Sequence, residues 1–322
     1  MTEAYDIIGD VHGQAEALTT LLSKMGYERK NGAWRHSERQ VIFLGDFVDL
    51  GPQQVDTVMI AQRMVEAGSA LAVMGNHELN AIAWYLPDPA SPGEYLRPHF
   101  SEKWGNKNRH QHAAFLAEVE NKPQLHKEIV EWFLSLSLWL DLEDVRVVHA
   151  CWHPTLMQYL SPLLLPGQRL NKELMAEATR EPESDAEKDT PEPSPFKAVE
   201  MLTKGLEIPL PSGYSFKDKY EIERSRVRVR WWDHDATTYR KAAIVEDDLR
   251  DRLPVVPIPP LARVGFPTDK PIFIGHYWLT GSPAPLSEHV VCVDYSAGKG
   301  GPLCAYQWQR YTLLDASSFC CT

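Results

Sequence analysis

The sequence has few cysteines, and they are poorly placed for the structural uses of cysteine. Five occur in 322 residues: Cys151, Cys292, Cys304, Cys320 and Cys321. None forms a C-x-x-C pair, and an odd count suggests reduced thiols in a cytoplasmic protein rather than a disulfide framework or a cysteine-bound structural zinc. Long hydrophobic runs are also missing. The most apolar stretch, Phe133 to Leu140, is far shorter than the roughly 18 residues that span a bilayer. The N-terminus shows no basic start followed by an apolar segment. Positive charge is scarce: 33 Lys and Arg stand against 44 Asp and Glu, a net charge of -11. That balance argues against an extended nucleic-acid surface and leaves room for a local basic pocket. The expectation is a soluble cytoplasmic globular protein with no membrane segment.

What the chain does have is a series of apolar, β-branched runs that stop abruptly at polar residues. Tyr5-Asp6-Ile7-Ile8-Gly9 runs into Asp10 and His12. Val41-Ile42-Phe43-Leu44-Gly45 runs into Asp46 and Asp49, and Ala70-Leu71-Ala72-Val73-Met74-Gly75 into Asn76 and His77. Further on, Val145-Arg146-Val147-Val148 ends at His149, and Pro271-Ile272-Phe273-Ile274-Gly275 at His276. Each run reads as a buried strand that delivers a polar side chain into the loop at its C-terminal end. The glycines before these residues would let the backbone turn sharply there. Helical spacing follows, with Ala15, Leu18, Leu21, Leu22 and Met25 before Gly26, then Val55, Val58, Met59, Gln62 and Val65 before Gly68. The alternation predicts an α/β fold with a parallel or mostly parallel sheet and its site at one edge. Carboxylate, imidazole and amide groups gathered there suit divalent first-row metals.

One domain is expected over residues 1–316, with insertions or caps at 86–127 and 154–270. Helices are expected near Gln111 to Glu120 and from Ile129 to Leu140, and further strands over His289 to Val293 and Ala305 to Leu314. Residues 179–195 are rich in Pro and acids with almost no apolar residues, so a mobile surface segment is expected. Residues 317–322 read as a disordered tail.

Gly9-Asp10-Val11-His12-Gly13, Gly45-Asp46-Phe47-Val48-Asp49-Leu50-Gly51, Gly75-Asn76-His77-Glu78, His149 and Gly275-His276 are separated motifs spanning residues 5 to about 280. In this order they closely resemble the calcineurin-like metallophosphoesterase superfamily, particularly the branch of phosphoprotein phosphatases and symmetrical dinucleoside-tetraphosphatases. The resemblance implies a four-layer α-β-β-α sandwich with the site at the strand C-terminal ends. It implies that Asp10, His12 and Asp46 hold one divalent metal, and that Asp46 bridges to a second completed by Asn76, His149 and His276. Manganese is the first choice of metal, and Fe, Zn, Ni, Co or Mg also accept such ligands. A water activated between the ions would attack phosphorus. His77 would protonate the leaving oxygen, with Asp49 orienting it and raising its pKa.

Three departures bear on the substrate. The family usually has Arg where Leu50 stands, and that Arg contacts a phosphate oxygen. After His149 the usual Gly-Gly is Ala150-Cys151, and the Arg-Pro-Thr-Asp segment of the protein phosphatases is absent. A replacement clamp is expected in Arg224-Ser225-Arg226-Val227-Arg228-Val229-Arg230, where strand alternation puts the arginines on one face. Arg228 or Arg230 would reach the phosphoryl group, and His153, just after His149, is a further substrate-binding candidate. The duller explanation is a solvated edge strand paired with Glu221, Glu223 and Asp233. His110, His112 and His126 read as surface or packed histidines, and Trp104, Trp152, Trp231 and Trp232 as packing aromatics. Cys151 has no dedicated base to make it a nucleophile.

The expected function is metal-dependent hydrolysis of a phosphoester of a small metabolite, nucleotide or phosphoprotein. The nearest alternative is a symmetrical dinucleoside polyphosphate hydrolase or a phosphodiesterase. A catalytically idle, metal-binding regulatory protein is the alternative of another class, supported only by Leu50 and Ala150-Cys151.

Overall fold

A computed structural model describes residues 4–217 and 222–322; Glu221 lies outside them. Strands β1 (Ala4–Ile8), β2 (Gln40–Phe43) and β3 (Ala70–Ala72) lie side by side and parallel. Helices α1 (Ala15–Lys24), α2 (Gln54–Glu66) and α3 (Asn76–Tyr85) follow them in turn. A helical stretch then runs through α4 (Gly105–Gln111), α5 (Ala113–Val119) and α6 (Pro123–Leu134). β4 (Trp139–Asp141) and β5 (Arg146–Val148) begin a second sheet. The chain then leaves for a long excursion containing α7 (Pro154–Leu160), α8 (Lys172–Thr179), α9 (Asp185–Lys188) and α10 (Pro195–Lys204). The same excursion holds an antiparallel pair, β6 (Glu207–Pro209) and β7 (Arg226–Arg228). β8 (Ile272–Ile274) and β9 (Val290–Cys292) complete the second sheet in the order β9-β8-β5-β4. β10 (Cys304–Gln309) and β11 (Phe319–Cys321) return to the first, giving β11-β10-β1-β2-β3.

The two sheets face each other because their strands are apolar on both sides. Ile7 and Ile42 pack with Val147, Phe273, Val291 and Tyr306 between the sheets. Their neighbours Ile8 and Phe43 pack with Leu18, Leu22 and Val58 of the helices. A period of two thus sends alternate residues into two different cores, which explains the unbroken apolar runs. The result is the α-β-β-α layering.

Several local expectations are corrected. The sheets are mixed, since β10 runs antiparallel to β1 and β4 antiparallel to β5. The apolar run at 133–140 splits, ending α6 at Leu134 and entering β4 at Trp139. A short apolar run of this length does not by its periodicity separate helix from strand. Residues 317–322 are not a loose tail, because β11 adds an edge strand to β10. Nor are all cysteines reduced: that pairing sets Cys304 opposite Cys321, and the two are disulfide-bonded. The acidic 179–195 segment carries α9 and is tied down by Lys188–Glu207 and Asp189–Arg226 ion pairs. No helix of the described residues is long and apolar enough to cross a membrane.

Phe273 is fully buried between the sheets. Phe273→Ala should cost about 3–5 kcal/mol, read as a lower midpoint in urea unfolding with an unchanged slope.

Candidate metal centre

The C-terminal ends of β1, β2 and β3 meet those of β5 and β8, and the side chains they deliver converge on Asp46. Its Oδ2 lies 3.3 Å from His149 Nε2 and 3.8 Å from both His12 Nε2 and His77 Nε2. Two residue groups able to hold a cation share this carboxylate: His12, Asp46 and His77, and Asp46, His149 and His276. Asn76 Oδ1 sits 2.8 Å from His276 Nδ1 and 3.3 Å from His149 Nε2. Asp10 stands alongside, its Oδ2 accepting the His276 backbone N–H at 3.0 Å.

Backbone contacts aim these side chains. His12 Nδ1 faces the Val48 carbonyl at 3.0 Å and His149 Nδ1 the Leu44 carbonyl at 2.6 Å. A carbonyl partner makes Nδ1 the donor, which leaves Nε2 for a metal. Glu78, fully buried at the start of α3, accepts the backbone N–H groups of Asp46, Phe47 and Gly75 at 2.7, 2.7 and 2.9 Å. It ties the loop after β2 to the loop after β3. Of the motif glycines, Gly13 and Gly45 take positive φ, as expected for sharp turns, whereas others are required by space: a Cβ at Gly75 would meet Asp46 Oδ1 at 2.2 Å, and one at Gly275 would meet Asp10 Oδ1 at 2.1 Å. Positive φ also falls on functional residues, at His12, Asp46, Asp49 and His276. Such backbone costs on the order of 1–3 kcal/mol per residue and persists only where surrounding contacts enforce it.

Asp49 is held between two imidazoles. Its Oδ2 lies 2.6 Å from His77 Nδ1, its Oδ1 lies 2.7 Å from His112 Nδ1, and its N–H donates to Gln54 Oε1 at 2.6 Å. His112 is buried beside Trp84 and Phe115. By sequence it reads only as a surface or packed histidine, because no motif surrounds it and its partner lies 63 residues away. Burial opposes charging His77, but Asp46 and then Asp49 outweigh it and hold this imidazole up at about 9. Burial likewise opposes ionising Asp49, yet His112 and His77 keep its carboxyl below the usual range.

The donor set fits divalent cations. Asp10 Oδ1 and His12 Nε2 are buried without a hydrogen-bond partner, a costly state that a metal would relieve. Burial, with Asp294 and Asp46 nearby, pushes the Asp10 carboxyl well up, as expected for crowded acids lacking a counter-charge. Burial also works against a charged His149, but Asp46 and Asp10 hold it up at about 10. In the metal-free chain a proton therefore stands where a cation could sit.

The expected substrate residues separate. His153 and Arg228 line one shared cavity. Arg230 lies beyond the end of β7 and lines another, with Val229, His234 and Val264. Arg226 shares the first cavity with Arg228, as alternation expects, but is engaged by Asp189 and Glu207 at 2.8 and 3.1 Å. Leu50 is half exposed with a φ of 74°. Near it, Trp278 stacks on His12 with centroids 5.0 Å apart, and Lys299 Nζ sits 3.5 Å from the Trp278 ring centre. Ala150 and Cys151 are buried; the Ala150 N–H donates to Leu202 of α10 and its carbonyl accepts from Trp231 and Tyr277. These backbone contacts tie the excursion to the loop after β5.

Residues 5–163 match the calcineurin-like phosphoesterases. The chain is 45% identical over 73 residues to the asymmetrical bis(5'-nucleosyl)-tetraphosphatase PrpE of Oceanobacillus iheyensis, covering 22% of this chain and 29% of that protein. It is 38% identical over 147 residues to the enzyme of the same name from Anoxybacillus flavithermus, covering 45% and 56%. The matches thus span only 29% to 56% of the length of these curated relatives. A cold-active protein-tyrosine phosphatase of a Shewanella species superposes with a TM-score of 0.50 at 18% identity, over 100% of this chain and 80% of that one. That likeness shows a shared fold.

Because His149 is held up at about 10 in the metal-free chain, a cation binding near pH 7 must displace its proton. Affinity for Mn2+ should therefore rise with pH, with net proton release. Calorimetry in buffers of different ionisation enthalpy reads this directly, and buffer-independent heats would contradict it.

Proposed function

The chain belongs to the calcineurin-like phosphoesterase family, and from that premise we propose that it is a metal-dependent hydrolase acting at phosphorus on a nucleotide substrate. The observation that carries this reading is the His77–Asp49 pair poised beside an Asp46 carboxylate shared by two cation-binding groups. Asp10, His12 and Asp46 would hold one divalent ion, and Asp46, Asn76, His149 and His276 a second. Bound there, two ions would supply an activated water and offset charge on the phosphoryl oxygens. We name manganese first, since oxygen and nitrogen donors without thiolate suit it, and Fe, Zn, Ni, Co or Mg fit the same set.

The chain's own residues supply the rest. With Nδ1 held by Asp49, His77 presents Nε2 toward Asp46 at 3.8 Å. Held up at about 9, the ring keeps a proton at neutral pH to give to the leaving oxygen. His112 occupies the second Asp49 oxygen, so the carboxylate cannot swing away from His77. An idle metal-binding protein would have no use for this arrangement.

The relatives' names support a nucleotide substrate. Those names specify asymmetrical cleavage, where the alternative drawn from the motifs is symmetrical. We favour conversion of a dinucleoside tetraphosphate to a nucleoside triphosphate and a monophosphate. An internal phosphoanhydride carries less charge at the reacting phosphorus than a terminal monoester. That suits a site with Leu50 in place of an anchoring Arg.

With Mn2+ and diadenosine tetraphosphate, chromatography should show ATP and AMP rather than two ADP. His77→Asn and Asp49→Asn should each lower kcat roughly 10²–10⁴-fold with metal content unchanged. Full activity in His77→Asn would remove His77 from the chemistry.

A further inference from the structure

A cavity of about 290 Å3 lies within the 154–270 excursion, bounded by α10, the start of α7, the β6–β7 pair and the turn Pro260–Ala262. Phe196, Leu206, Ile208 and Leu261 give it apolar walls, and Thr155 stands exposed at its edge. No metal-centre residue lines it, but two of its residues lie near the chain that carries His276. Gly205, in its wall, lies so close to the Tyr277 hydroxyl that a Cβ would come within 2.6 Å, and Tyr277 directly follows His276. Arg228 also lines the cavity, and its charge is felt at both His276 and Tyr277.

Arg228 differs from the other cations here. Lys188 and Arg226 are paired with Glu207, and Lys204 with Glu200. Among the described residues the Arg228 guanidinium has no hydrogen bond or close ion pair, although Glu207, opposite it in the β6–β7 register and already paired with Lys188 and Arg226, feels its charge. A half-buried guanidinium whose own donors are unfilled is suited to phosphate, which it can grip with two parallel hydrogen bonds. The chamber suits a flat, weakly polar group. An extended peptide would need an open groove or strand edge.

We infer that this cavity is the nucleoside subsite, holding one base and ribose, with Arg228 binding the phosphate next to that nucleoside. Its volume is near the lower end of small-molecule sites, roughly 300–1,000 Å3, so it admits one nucleoside and leaves the other end of a dinucleotide outside. A single subsite fits cleavage near one end of a polyphosphate bridge. The occupant's role as a substrate rests on the hydrolase reading above; its binding does not.

Thr155→Trp fills the cavity from its exposed edge, and Leu261→Asp charges its rim, where Leu261 is 64% exposed. In the full-length Mn2+-loaded protein, calorimetry with ADP should show binding that each variant weakens roughly tenfold or more. KM for diadenosine tetraphosphate should rise in parallel, while turnover of p-nitrophenyl phosphate, which has no nucleoside, stays within about twofold. Arg228→Ala should weaken ADP more than adenosine. The inference is overturned if the wild-type protein does not bind ADP, if both variants bind it normally, or if both lose p-nitrophenyl phosphate and nucleotide turnover alike. If the wild-type protein turns over no phosphoester but the variants still lose ADP, the hydrolase reading fails and the binding site stands.

Discussion

The buried carboxylate of Asp46 is the contact on which the rest of the site depends. It lies within 3.3 to 3.8 Å of imidazoles carried by three different loops. Without a counter-charge, a carboxylate that deep would be costly. In the metal-free chain, protonated His149 and His77 supply that charge and keep Asp46 ionised against its burial. The same contacts leave lone pairs on Asp10 and His12 unfilled. One set of distances therefore explains both why the metal-free protein tolerates the site and why it should take up cations.

Much of the fold serves to hold this junction. Parallel strands of one sheet bring Asp10, His12, Asp46 and Asn76 to a common edge, and the second sheet brings His149 and His276 against it from the other side. Glu78 fixes two of the loops through three backbone hydrogen bonds. Positive φ at His12, Asp46 and His276 is strain that only such surroundings sustain. Glycine is needed at positions 75 and 275 because carboxylates occupy the space a side chain would take.

The sequence made the β1-β2-β3 framework and the convergence on Asp46 legible, because each strand is an unbroken apolar run ending in a metal-type ligand. Contacts that depend on distant packing were not legible. His112 carries no motif and reaches Asp49 only because the irregular stretch folds back over α3. Arg228 and Arg230 look equivalent by alternation, but β7 ends between them, and they line different cavities. The β11 edge strand and the Cys304–Cys321 bond depend on a register that composition does not encode. The split of 133–140 into helix and strand was hidden because a short apolar run has no period long enough to tell the two apart.

The excursion between β5 and β8 is tied to the loop after β5 by the Ala150 backbone, which bonds Leu202, Trp231 and Tyr277, and the proposed nucleoside subsite lies within it. The centre itself is tested most directly by the metal content of Asp46→Asn, dialysed after Mn2+ loading and checked for intact fold by circular dichroism. Wild-type protein should retain about two ions per chain and the variant neither, because one carboxylate serves both groups. Two tightly held ions in folded Asp46→Asn would contradict a centre built around a shared Asp46.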